Sequence, residues 1–110
     1  MKSKNYIKGF LEDIVLQLIR KNDKMYGYEI SQKVKEITAG EINLTEGALY
    51  PVLHRLESQN LLIVTYKKVD GRVRKYYELT PEGGESIKNN VVELQAFLAG
   101  LNSLFNLKPI

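Results

Sequence analysis

The sequence predicts an α+β, mainly helical fold: three short helices, a β-hairpin and one long closing helix. Three observations carry this expectation. Apolar residues recur at helical spacing through the first half of the chain, two β-rich runs flank the dipeptide Asp70-Gly71, and the C-terminal stretch holds a heptad seam. At 110 residues the chain has the length of one small fold. A chain this short buries proportionately little surface, so a second copy that covers apolar surface is a natural supplement to its core.

The first helix is expected over about Tyr6 to Arg20, where Ile7, Phe10, Leu11, Ile14, Val15, Leu18 and Ile19 form a wide apolar stripe closed by Arg20 and Lys21. Asn22-Asp23-Lys24 reads as a polar break. Tyr28, Ile30, Val34 and Ile37 then mark a second helix from Gly27 to about Thr38, ended by Ala39-Gly40-Glu41. Thr45 is placed to cap a third helix, with Leu44 and Leu49 at the staple positions and Leu49, Val52, Leu53 and Leu56 on one face. Gly47, Pro51, His54 and Ser58 point the other way, with Tyr50 and Arg55 on the flanks. Pro51 lacks an N–H and clashes with the carbonyl of Gly47, which predicts a loosened first turn. Asn60 tolerates the left-handed conformation that often ends a helix.

Leu61 to Val69 and Arg72 to Leu79 read as strands joined by a two-residue turn, pairing Val69 with Arg72, Lys67 with Arg74, Thr65 with Tyr76 and Ile63 with Glu78. Leu62, Val64, Tyr66, Tyr77 and Leu79 then share the other face, with Lys68, Val73 and Lys75 towards the tip, and one of the two faces belongs to the core. Thr80 and Pro81 open a last helix to about Asn106, in which Ile87, Val91, Leu94, Leu98, Leu101 and Phe105 form the seam of a dimerisation surface. Gly100 weakens that helix by about 1 kcal/mol relative to alanine, a deficit that packing against a partner would offset.

The absence of cysteine excludes disulfides, thiolate nucleophiles and Cys-based metal centres, and a single histidine leaves no His cluster for a metal. No cofactor is expected. Glu12 and Asp13 interrupt any signal-peptide core, and the apolar-rich run from Leu94 to Leu107 is too short to span a bilayer, so the expected location is the cytoplasm. The formal net charge is only +3, yet Tyr66 to Tyr76 holds Lys67, Lys68, Arg72, Arg74 and Lys75 against Asp70.

Three helices, a hairpin and a long helix in this order match a winged helix-turn-helix, with the third helix in the DNA major groove and the hairpin, or wing, on the phosphate backbone. Residues 1–80 would form the DNA-binding domain and 81–110 the dimerisation helix. Lys67 opposite Arg74 is an unfavourable like-charge pair in isolation and hints at a phosphate above it; the plainer alternative is a charged tip that guards a strand edge. Tyr50, His54 and Arg55 lie where a recognition helix meets DNA, though His54 could be merely solvated, Tyr50 a packing aromatic and Arg55 an ion-pair partner of a neighbouring helix. Tyr26 and Tyr28 read as packing residues rather than ligands, with a phosphate at the start of the second helix as the alternative. Phe97 and Phe105 could line a small-molecule pocket between protomers. A winged-helix module for protein partners is the main rival to DNA binding. An enzyme is a poor one, because His54 has no acid or nucleophile beside it in the pattern.

The run Leu49-Tyr50-Pro51-Val52-Leu53-His54-Arg55-Leu56-Glu57 with Asn60-Leu61-Leu62 resembles the signature of PadR-type transcriptional regulators, in which Pro51 is expected. Tyr26-Gly27-Tyr28-Glu29-Ile30 and Gly71-Arg72-Val73-Arg74-Lys75-Tyr76-Tyr77-Glu78-Leu79-Thr80 with Gly83 are similar to the family's other motifs, so the likeness spans about residues 10 to 107. It implies a winged-helix homodimer, usually a repressor, that binds an inverted repeat and is released by a small molecule or another signal. The resemblance assigns DNA contacts to Thr45, Tyr50, His54 and Arg55 and to the wing residues Lys67, Lys68, Arg72, Arg74 and Lys75. Asn60 replaces the usual glycine, and the single closing helix places the chain among the short members. Tryptophan is absent, so a pocket built around it is not available here.

Overall fold

A computed structural model describes residues 9–107, in which seven elements follow one another. They are α1 (Leu11–Asn22), β1 (Lys24–Tyr26), α2 (Gly27–Ile37), α3 (Glu46–Ser58), β2 (Leu62–Val69), β3 (Arg72–Leu79) and α4 (Pro81–Phe105). The mainly helical winged architecture is as expected. The expected first helix began at Tyr6; the described helix begins at Leu11 after a 3₁₀ turn at Gly9-Phe10, and Tyr6, Ile7 and Lys8 lie outside the described residues.

The apolar stripes of α1, α2 and α3 converge on one core, in which Val15, Leu16, Ile19, Ile30, Leu49, Leu53, Leu56, Leu62 and Ile87 are almost wholly buried. Each such aliphatic side chain contributes about 1.5–3 kcal/mol relative to exposure. Helix α1 does break at Asn22-Asp23, and a short strand that the sequence reading did not include follows it. Lys24–Tyr26 joins a three-stranded antiparallel sheet of order β1-β3-β2, pairing Met25 with Tyr77 and Tyr26 with Tyr76. Only Met25 of the three is buried, which leaves a sequence pattern too short to show alternation.

The hairpin register is the expected one, with Lys67 opposite Arg74 and Thr65 opposite Tyr76. Asp70 and Gly71 both take positive φ, 51° and 78°, as a type I′ turn demands. Thr45 caps α3 by accepting the Ala48 N–H at 3.2 Å. The expected loosening at Pro51 does not interrupt the helix: α3 is continuous, the Leu49 N–H still reaches the Thr45 carbonyl at 2.9 Å, and the Gly47 carbonyl left without its usual donor lies on an exposed residue.

Asn60 does more than a glycine could. It sits at φ 62°, its side chain donates to Glu82 at 3.0 Å, and its carbonyl accepts the Thr80 hydroxyl at 2.7 Å. The buried Thr80 hydroxyl also accepts the Gly83 N–H at 2.9 Å, which joins the end of α3 to the start of α4. Gly83 is needed there because a Cβ would overlap the Leu61 carbonyl. Further along, α4 lies on α1 through Asn90, which donates to Asp13 at 2.9 Å, and through the Phe10–Phe97 ring contact at 6.5 Å.

Candidate nucleic-acid interface

The outward face of α3 carries Gly47, Pro51, His54 and Ser58, all exposed, because the opposite stripe of Leu49, Val52, Leu53 and Leu56 is fixed in the core. Thr45 is exposed at the helix start with its oxygen engaged in the cap. Tyr50 is half-exposed on one flank and packs against Gly27: a Cβ at that glycine would stand 2.6 Å from the Tyr50 hydroxyl. Arg55, on the other flank, donates its Nε–H to Glu12 at 2.7 Å. The ion pair with a neighbouring helix is therefore real, although a guanidinium has five N–H donors and this bond uses one.

The five wing cations divide between the two faces of the hairpin. Arg72, Arg74 and Lys67 share the outer face, and Lys68 and Lys75 the face turned toward the core. Lys67, Lys68 and Arg72 are exposed. Lys75 is not a free cation: its amine is 3.8 Å from Glu57 of α3 and 5.4 Å from the Tyr77 ring centre. Burial pulls its pKa down, but Tyr77, Glu57 and Tyr66 outweigh that and raise it overall. Burial raises the Tyr77 hydroxyl, partly opposed by Lys75 and reinforced by Glu57 and Tyr50. Lys75 thus ties the wing to α3.

Arg74 also differs from the expected picture. Its guanidinium carbon lies 4.1 Å above the Tyr26 ring of β1, on the side of β3 away from Lys67. The neighbouring Tyr76 side chain is the largest influence raising its pKa, ahead of the smaller lowering by burial. The like-charge pair is relieved by the ring, so it is no longer an argument for a phosphate between Lys67 and Arg74.

The expected dimerisation seam is divided as well. Ile87 is wholly buried in its own chain's core and has no surface to offer a partner, a correction to the heptad reading, and Val91 packs partly against the same core. A heptad pattern records apolar spacing and does not say which surface covers it. Leu94 and Leu101 are half-buried, while Leu98 and Phe105 are exposed, as are Val92, Phe97 and Leu104. Phe97 borders an open cleft with Asp13, Asn90, Glu93 and Leu94.

The profile described as "Transcriptional regulator PadR-like family" matches residues 15–89. The chain belongs to the PadR-like family. An uncharacterised protein of Lysinibacillus sphaericus is 38% identical over 94 residues, covering 84% of this chain and 85% of that protein. Among solved structures, a transcriptional regulator from Clostridium thermocellum superposes with a TM-score of 0.82 at 29% identity, covering 91% of this chain and 97% of the other. A PadR-like transcriptional regulator from Bacillus cereus gives 0.80 at 29% identity, covering 96% and 100%. This PadR-like protein is a DNA-binding transcriptional regulator and not an enzyme. Among the described residues no helix is long and apolar enough to cross a membrane.

Sequence reasoning gave Tyr26 a packing role without its contact under Arg74, and it missed Glu57, which holds Lys75. Gly27 beside Tyr26 was the available signal, since a glycine opening a helix invites a close neighbour.

Proposed function

We propose that this PadR-like protein is a homodimeric repressor that binds an inverted-repeat operator and leaves it in response to a small molecule or another signal. Residues 1–80 are the DNA-binding domain, and 81–110 the dimerisation segment, whose helix α4 is rooted in the core at Gly83 and Ile87. The observation that carries the reading is the exposed polar face of α3 beside exposed Lys67, Lys68 and Arg72, on a scaffold whose α4 continues past the core with Leu98, Leu104 and Phe105 uncovered.

Tyr50, His54 and the unbonded N–H groups of Arg55 read the groove, and Thr45 meets the backbone at the start of α3. Lys67, Lys68, Arg72 and Arg74 supply affinity by displacing counterions from phosphate, with Lys75 holding the wing in place. Leu94, Leu98, Leu101 and Phe105 pair two copies of α4. Half-sites then lie one helical turn apart, about 34–36 Å, or a multiple of it. A signal at the paired helices, with Phe97 and Phe105 at its seat, shifts the population of dimers that fit the operator. The protein acts where the DNA is, in the cytoplasm.

Selection from a random-sequence duplex pool tests this. The expected result is an enriched inverted repeat bound by two copies, measured by sedimentation. A pool that stays random, or an enriched site that binds one copy, overturns the reading.

A further inference from the structure

Two wing cations are placed before any partner arrives: Lys75, which faces Glu57 of α3, and Arg74, which lies on a ring and faces no carboxylate in that contact. Lys67, Lys68 and Arg72 are exposed on the hairpin, whereas Arg74 is half-buried with its guanidinium carbon 4.1 Å above the Tyr26 ring. That ring is itself fixed. Tyr26 is the last residue of β1, paired with Tyr76 in the sheet, and the residue before α2, where its backbone N–H donates to the Glu29 carboxylate at 3.1 Å. The Tyr76 ring meets it edge-on at 5.5 Å and 75°.

A planar guanidinium stacked on a ring uses its face and keeps its N–H edges for an acceptor, which an ammonium cannot do in the same way. The next residue, Gly27, is the one on which Tyr50 of α3 rests. Two consecutive residues at the β1–α2 junction therefore set a wing arginine and a recognition-helix tyrosine relative to each other.

We infer that Tyr26 is a positioning residue for DNA binding: its ring holds the Arg74 guanidinium at a fixed place relative to Tyr50, so that wing and α3 meet the duplex as one preset surface. The inference rests on the DNA-binding reading above. Its physical basis is preorganisation, since a long side chain already ordered in the free protein loses little rotamer freedom on binding. Tyr26 itself need not touch DNA.

The test is a double-mutant cycle on affinity for a duplex selected from the random pool, followed by fluorescence anisotropy at several salt concentrations. Tyr26→Leu weakens binding by about tenfold for a dimer with two wings. Its salt dependence is unchanged, because no charge is lost. Tyr26→Phe restores the ring and recovers most of the loss. Arg74→Ala weakens binding and makes the slope of log affinity against log salt shallower by about 1.8, two phosphate contacts per dimer. In the Arg74→Ala background, Tyr26→Leu has no further effect.

Arg74→Lys serves if Tyr26→Leu does not fold, since it keeps the charge and lies on the half-exposed wing. It loses affinity at unchanged salt slope. Independent, additive effects of Tyr26→Leu and Arg74→Ala, or an Arg74→Lys protein that binds like wild type, overturn the inference and leave the DNA reading intact. An Arg74→Ala protein with unaltered affinity and slope removes Arg74 from the DNA contacts and takes the inference with it.

Discussion

Replacing Thr80 by valine removes one hydroxyl and almost nothing else, and the structure sets what that hydroxyl is worth. It lies on a residue only 5% exposed, accepts the Gly83 N–H at 2.9 Å and donates to the Asn60 carbonyl at 2.7 Å. Losing an N-cap of this kind costs about 1 kcal/mol. The Asn60 carbonyl loses its donor at the same time, a further cost of about 1 kcal/mol, at the low end because Asn60 is exposed and water can reach it. Valine fills the same volume, so no cavity adds to the sum. Thr80→Val should thus be less stable by about 2 kcal/mol, which for a domain of this size lowers Tm by about 10 °C. Urea unfolding followed by circular dichroism measures it, at one fixed protomer concentration because association is linked to stability. Thr80→Ser, which keeps the hydroxyl, should retain most of the stability. A Thr80→Val loss below about 0.5 kcal/mol, the scatter of neutral surface substitutions, would refute the assigned role.

Other expectations concern the recognition helix, the wing and α4. Gly27→Ala puts a methyl 2.6 Å from the Tyr50 hydroxyl oxygen, the movable end of a side chain, so stability should change by less than about 1 kcal/mol while DNA affinity falls; unchanged affinity would show that the position of Tyr50 does not matter. Tyr77 and Lys75 both have raised pKa values in the folded protein. Their stabilising effect is present below the ordinary values near ~10 and is lost as pH rises through the raised ones. Phenolate absorbance should then hold a late component that Tyr77→Phe removes, with stability falling in the same alkaline range; a Tyr77→Phe protein with an unchanged late component would contradict it. Leu98→Glu, at a half-exposed position of α4, should yield a folded monomer by sedimentation, whereas Ile87→Ala, inside the core, should cost about 2–5 kcal/mol of stability. A Leu98→Glu protein that remains dimeric would remove that residue from the interface.

The parts of the fold legible in the sequence are those governed by local rules. Asp70-Gly71 dictates the turn and with it the whole pairing of β2 and β3, and the spacing of Leu49, Val52, Leu53 and Leu56 dictates which face of α3 is outward. What escaped is set by contacts distant along the chain. β1 is three residues long and exists because β3, some fifty residues later, has an edge to offer. With β1 unread, the diagonal contact of Tyr26 with Arg74 could not be anticipated, and Lys67 opposite Arg74 looked like an anion site. Ile87 shares its heptad spacing with Leu94 and Leu98, yet the tie between Thr80 and Asn60 swings the first turns of α4 into the chain's own core. The spacing puts Arg55 on a flank of α3 and leaves an ion pair with a neighbouring helix open, but that the partner is Glu12 depends on how α1 crosses α3.

Salt dependence of DNA binding tests the central claim most directly. On the proposed reading, four wing cations per protomer, Lys67, Lys68, Arg72 and Arg74, would give a dimer eight phosphate contacts and a slope of log affinity against log salt of about −7. Anisotropy titrations of the wild-type protein with a selected inverted-repeat duplex and a scrambled one, between 50 and 200 mM salt, should show affinity falling by about 10⁴-fold and a preference for the selected duplex of at least about 10³-fold. A shallow slope with equal affinity for both duplexes would contradict the account.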